Sequence, residues 1–211
     1  MFEAEKKQVL QSALQMKEYR LISLTGGNVS LRVEGGNFLV TPSGVAYETM
    51  SPEDIVVVDA SGKVVEGRLK PSSDTPALLY IFEKMPWVNA IIHTHQPYAT
   101  AVGLSCDLLP ACMVTIIDAN RADVQVAPFT ASSDVGMGEL TVEYAGDALA
   151  VILKHHGVMA YGASMEEALY SAVYLEEAAK TYIMARVMGP VPLLTPEQIA
   201  QEAAGWETYG Q

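Results

Sequence analysis

The chain has 211 residues, 50% of them hydrophobic and 18% charged, with 25 acidic side chains against 13 basic ones and a net charge of −12. That apolar content excludes a disordered chain and suffices for a full core, so residues 1–211 are read as one domain. The negative field excludes phosphate-covered partners, so neither nucleic acid nor an anionic membrane surface is expected; a small anion can still bind where backbone N–H groups or a metal override the global charge.

Residues 3–20 predict a helix with an apolar stripe at Val9, Leu10, Ala13, Leu14 and Met16. Its mixed charges lack the basic-then-apolar layout of a signal peptide, and nowhere do about 18 uncharged apolar residues follow one another as a membrane helix requires. A cytoplasmic location is the expectation. Thr25-Gly26-Gly27-Asn28 is a glycine turn opening into a short strand, and further short strands are predicted at 38–40, 55–58 and within 62–67. Ser72-Ser73-Asp74 supplies a cap for a helix through Leu78 and Phe82. Residues 88–93 predict a buried strand and 97–104 a helix. Cys106 and Cys112 follow without CxxC spacing and are read as reduced, partly buried thiols. Strands at 124–127 and 149–155 flank a helix at 139–146. Ser164-Met165-Glu166-Glu167 is a capping box that starts the longest helix, running to about Met188. Thr195-Pro196-Glu197-Gln198 starts a last short helix, with Gly205 expected to break it.

The four histidines sit at two strand ends. His93 and His95 form an H-x-H, and residues i and i+2 of a strand point to one face, so both imidazoles can meet one ion. A third imidazole from the other strand end completes a three-histidine site with room for substrate, which is how a catalytic zinc site is built. Alternation lets only one of His155 and His156 face that ion. His156 is preferred because Gly157 follows it and permits a sharp turn. A second group of small polar residues lies in three loops: Thr25-Gly26-Gly27-Asn28, Thr41-Pro42-Ser43-Gly44 and Pro71-Ser72-Ser73. Hydroxyls and free N–H groups beside a helix start suit a phosphate, provided the loops converge.

Taken in order, GGNVSLR, TPSGVAYETMSPEDIVVVD, EGRLKPSSDTP, VNAIIHTHQPYATA, LKHHGVMAYG and the closing TYGQ resemble the class II aldolase/adducin family across nearly the whole chain. The resemblance implies a single three-layer α/β domain, its central, mainly antiparallel sheet flanked by helices. It also implies a homotetramer with active sites between neighbouring subunits. By position, it implies zinc as cofactor, with His93, His95 and His156 as its ligands. Asn28, Ser43, Gly44, Ser72 and Ser73 are implied to hold a substrate phosphate, with Thr25 and Gly27 shaping that loop. Asp74 falls where the family places an acidic residue beside the metal, and Tyr209 matches a tail tyrosine that acts near a neighbour's site. Asp118 falls where the family's ribulose-phosphate epimerases carry a catalytic Asp.

The resemblance implies retro-aldol chemistry on a sugar phosphate, through an enediolate stabilised by zinc. Chain length and the C-terminal match favour cleavage of a ketose 1-phosphate, as in the family's fuculose-phosphate aldolases, to dihydroxyacetone phosphate and an aldehyde. Those aldolases have Glu at the position of Asp74 and a tyrosine at that of Val114, whereas Asp74 and Asp118 match the 4-epimerases. A 4-epimerase using the same bond cleavage is therefore the alternative. A non-catalytic, adducin-like scaffold is the third reading, and it gives no reason to retain all three histidines and the PSS loop.

Overall fold

Short uncharged runs such as AIIHT and AVIL, with no polar alternation, are what a sheet covered on both faces requires. The computed structural model describes residues 1–206 and shows that arrangement. Strands β1 (Asn28–Val33), β2 (Asn37–Val40), β3 (Val56–Asp59), β4 (Val64–Glu66), β5 (Ala90–Thr94), β6 (Leu108–Leu109), β7 (Val124–Ala127), β8 (Ala150–Leu153) and β9 (Gly157–Gly162) form a nine-stranded sheet in the order β4-β3-β2-β1-β5-β9-β8-β7-β6. Neighbours are antiparallel except for β7 and β8, which run parallel. This is the mainly antiparallel sheet expected from the resemblance.

Alternate residues of each central strand enter separate cores. Ala90, Ile92, Val158, Ala160, Ala150 and Ile152 pack beneath helices α1 (Glu3–Glu18), α3 (Pro97–Ser105), α4 (Val114–Asn120) and α6 (Met165–Met188). Ile91, Met159, Tyr161, Val151 and Leu153 pack beneath α2 (Thr75–Lys84) and α5 (Gly136–Tyr144). At roughly 1.5–3 kcal/mol for each fully buried aliphatic side chain, both layers are needed to offset the ordering of the chain. The last helix, α7 (Pro196–Trp206), lies against α4, with Ile199 and Ala203 packed on the first core. Among the described residues no helix is long and apolar enough to cross a membrane.

Some local expectations need correction. Ser164 caps α6 by accepting the Glu167 N–H at 3.1 Å, but the Glu167 carboxylate takes the N–H of Ala163 at 2.6 Å rather than closing a box on Ser164. The Thr195–Gln198 pair does bond reciprocally. Gly205 does not break α7, which continues to Trp206; a glycine within a helix costs only about 1 kcal/mol. Helix α4 and strand β9 have no counterpart among the predicted elements.

Candidate metal centre

The three central strands β1, β5 and β9 are neighbours, and their register sets Asn28 opposite His93 and His93 opposite Met159. His93 is buried, and its Nδ1 lies 2.9 Å from the Val158 carbonyl on β9. Nδ1–H therefore donates to Val158, leaving the Nε2 lone pair free. His95 stands one residue beyond the end of β5, and its Nε2 is 3.2 Å from that of His93. His156 completes the group: the three ligand atoms lie within 4.8 Å of one another.

The chain brings His156 here by a turn and not by strand alternation. Strand β8 ends at Leu153, whose carbonyl accepts the His156 N–H at 3.0 Å. His155 takes up the left-handed conformation at φ 62 and swings out, edge-on to Phe129 with ring centroids 6.2 Å apart. Two glycines make the approach of the strands possible. A Cβ on Gly157 would run into the Thr94 carbonyl, and one on Gly27, at φ +72, would run into that of His93.

Burial pushes the His93 pKa down to about 3, with His95 and His156 adding to the effect. Burial also lowers those of His95 and His156. Imidazoles with ring nitrogens gathered within 4.8 Å of one another, one of them fixed by a carbonyl behind it, are the donor set that a divalent metal such as zinc takes. The residues present fit the ion.

Asp74 immediately precedes α2. Its Oδ2 accepts from Asn28 Nδ2 at 2.8 Å and lies 3.9 Å from His93 Nε2. The carboxylate makes no side-chain cap for α2, contrary to one expectation for this turn. Asn28 Oδ1 is buried without a hydrogen-bond partner among the described residues. A buried acceptor left bare costs about 1–3 kcal/mol, so a ligand or water with an O–H to donate is favoured there.

The three small-residue loops do converge. Ser72 N–H donates to the Thr41 carbonyl at 3.0 Å and Ser43 N–H to that of Lys70 at 2.9 Å, with a β-bridge between Pro42 and Pro71. The first loop is tied in by the Asn28–Asp74 bond and by Tyr47, whose hydroxyl donates to the Gly27 carbonyl at 2.7 Å. Thr25, Ser43, Gly44 and Ser73 are exposed, Ser72 is buried, and its Oγ accepts the Asp74 N–H at 3.3 Å. The cluster sits at the N-terminus of α2, where backbone N–H groups and the helix dipole favour an anion. Nothing in VAYE distinguishes Tyr47 as the anchor of this loop, and the sequence reading passes over it.

Burial pushes the Tyr47 pKa up to about 12, so the hydroxyl remains a donor at neutral pH. Tyr47→Phe is expected to cost about 1 kcal/mol near pH 7. A phenol with a raised folded-state pKa contributes stability that is present below the unfolded value, near 10, and is lost as pH rises toward 12. The gap between parent and variant in urea denaturation should therefore close over that window. A gap constant with pH would refute the burial of the phenol.

Asp118 is not brought to this site. Asp118, on α4, lines a cleft with Leu149, Ser164 and Tyr170. Leu149 and Ser164 flank the ends of β8 and β9 opposite to Leu153 and Gly157. The length of β8, roughly 13 Å at about 3.3 Å per residue, thus separates Asp118 from the histidines of its own chain. Its pKa is raised, by burial and by Glu202. Tyr209 lies outside the described residues.

The profile of the Class II Aldolase and Adducin N-terminal domain family matches residues 7–183. Among solved structures, an L-fuculose 1-phosphate aldolase is similar at 29% identity, covering 96% of this chain and 95% of its own, with a TM-score of 0.91. YgbL from Escherichia coli, for which aldolase, epimerase and decarboxylase are the candidate activities, is 25% identical over 95% of this chain and 98% of its own, with a TM-score of 0.83. The L-fuculose-1-phosphate aldolase from Thermus thermophilus is 26% identical over 88% of this chain and 97% of its own, with a TM-score of 0.77.

Proposed function

Because the chain belongs to the class II aldolase and adducin family, we propose that it is a cytoplasmic, zinc-dependent aldolase that cleaves a ketose 1-phosphate to dihydroxyacetone phosphate and an aldehyde. The observation that carries this reading is the meeting of three neutral histidines, the Asp74 carboxylate and a three-loop anion cradle at one end of the sheet. The likeness to L-fuculose 1-phosphate aldolase supports the substrate class.

His93, His95 and His156 would hold the zinc, which supplies a Lewis acid for a substrate carbonyl and its neighbouring hydroxyl. Ser43, Gly44, Ser72 and Ser73 grip the phosphate with hydroxyls and backbone N–H groups, and Thr25 and Gly27 shape the adjoining loop. Asp74 carries a proton to the carbon left behind once the carbon–carbon bond has broken. Asn28 joins the cradle to that carboxylate through its amide and offers its bare Oδ1 to a substrate hydroxyl. Asp118 and Tyr209 act, in this reading, across the interface of a homotetramer, where each serves a neighbour's site.

A 4-epimerase is the second reading, favoured by Asp rather than Glu at position 74 and by Asp118. A panel of ketose 1- and 5-phosphates, followed for both triose release and epimer formation, separates the two. Neither product from any member would overturn both readings and leave the scaffold. Ser72→Ala is expected to raise KM for the phosphorylated substrate about 10- to 100-fold, the value of one hydrogen bond to a charged group. Inhibition by inorganic phosphate should weaken in parallel. Equal use of a sugar and its phosphate by the parent would mean that the loops serve another purpose.

A further inference from the structure

The three histidines are not held alike. His93 sits inside β5 with its ring tied to Val158, whereas His95 stands outside the sheet and is exposed. Among the described residues no protein group bonds the His95 Nδ1; the ring touches those of its two fellow histidines, and Nδ1 faces bare backbone, where a Cβ on Gly26 would lie 3.0 Å from it. What fixes His95 is therefore the backbone on either side of it. On one side is Thr94, the last residue of β5. On the other the chain turns a corner into α3, and that corner is fastened to α6.

The fastening has two parts. Gln96 is fully buried, and its amide accepts from Thr94 Oγ1 at 2.6 Å while donating to the Ala172 carbonyl at 3.2 Å. Used in this way, the Gln96 side chain does not cap α3. Glu176, one helical turn beyond Ala172, does so from across the interface. Its two oxygens accept the N–H groups of Tyr98 and Ala99, each at 2.9 Å. A carboxylate on the first exposed N–H groups of a helix gains both the hydrogen bonds and the attraction of the dipole. One turn further along α6, the Lys180 ammonium lies 5.5 Å from the centre of the Tyr98 ring. Ala172, Glu176 and Lys180 thus form a stripe along α6 that grips residues 96–99.

We propose that Gln96 and Glu176 are positioning residues, which hold His95 in the metal-binding triad by locking the β5–α3 corner to α6. The inference rests on the metal reading of the triad. A ligand whose own ring has no orienting partner depends on the rigidity of its backbone, and loss of outer-shell support typically weakens metal affinity about 10- to 100-fold. Glu176→Ala removes both bonds to the corner, whereas Glu176→Gln retains an acceptor for one.

The test is Zn2+ affinity by competition with a chromogenic chelator, beside melting curves of the metal-free and zinc-loaded proteins. Zinc binding to Glu176→Ala and Gln96→Ala should weaken about tenfold or more, Glu176→Gln less, and the zinc-induced rise in Tm should shrink in that order. Glu177→Ala, on an exposed position of the same helix, should match the parent. A lower metal-free Tm with parental zinc affinity would show a merely structural role and overturn the proposal. A parent that binds no zinc would overturn the metal reading itself, and this inference with it.

Discussion

His93→Ala is expected to lose zinc below detection and all sugar-phosphate cleavage, while remaining folded. His93 is the one ligand of the triad buried in a strand, and its Val158 bond aims Nε2 at the other two. Alanine leaves two imidazoles on loops and removes the ring that defines their common point. The structural cost is the unpaired Val158 carbonyl and a side-chain-sized gap, together a few kcal/mol against a typical domain stability of about 5–15 kcal/mol. Metal analysis and circular dichroism on the same preparation check both halves. His155→Ala is the control: its side chain turns away to Phe129, so zinc content should stay at the parent level. Undiminished activity of metal-free parent protein would sink the assignment.

Asp74→Asn should have the second largest effect. The substitution keeps shape and volume, and Asn28 Nδ2 can still donate to the remaining carbonyl oxygen. What disappears is the charge beside His93 and the capacity to carry a proton. Turnover is expected to fall about 10²- to 10⁴-fold, the usual worth of a positioned acid or base, with KM changed only a few-fold and zinc retained. A loss confined to KM would move Asp74 from proton transfer to binding. Asp74→Glu extends the carboxylate by one methylene and bears on which reaction the site performs. If cleavage is the native activity, this variant should keep measurable triose release; if epimerisation is, the longer arm should abolish epimer formation.

Much of this site is legible in the sequence because its residues lie at strand ends. Residues 88–93 read as a buried strand, and the H-x-H at its close implies a same-face pair on spacing alone. The preference for His156 over His155 rests on the glycine that follows, and that glycine proves to be where β9 crosses against Thr94. Strand alternation is not the cause, however; the operative one is a turn beginning after Leu153. The anion cradle can be enumerated from the sequence but not assembled, because the meeting of residues 25–28, 41–44 and 71–73 depends on sheet order, which no local pattern encodes. Strand β9 escapes detection because GVMAYG is buried on both faces and shows no alternation. Helix α4 escapes because its single pair of turns, VTIIDAN, is rich in β-branched residues and helical only through its packing on α6 and α7. Asp118 therefore reads as following an apolar run, with no indication that it stands at the far end of the sheet from the histidines.

The order β1-β5-β9 at the middle of the sheet carries a cost in time as well as in sequence distance. Asn28, His93 and Gly157 come from remote parts of the chain, and each belongs to a strand whose partner must arrive from far along the polypeptide. Closing such long loops precedes any gain from the contacts they permit, which is why folds built on remote strand pairing assemble slowly. No local hairpin holds even half of the constellation: the hairpin of β8 and β9 has His156, and that of β1 and β2 has Asn28, but neither contains His93. The three histidines and their acidic neighbour therefore cannot come together before these remote strands pair. Until the central strands have joined, a nascent or partly unfolded chain presents the His93–His95 pair apart from His156 and no centre, which confines the chemistry of the site to the completed fold.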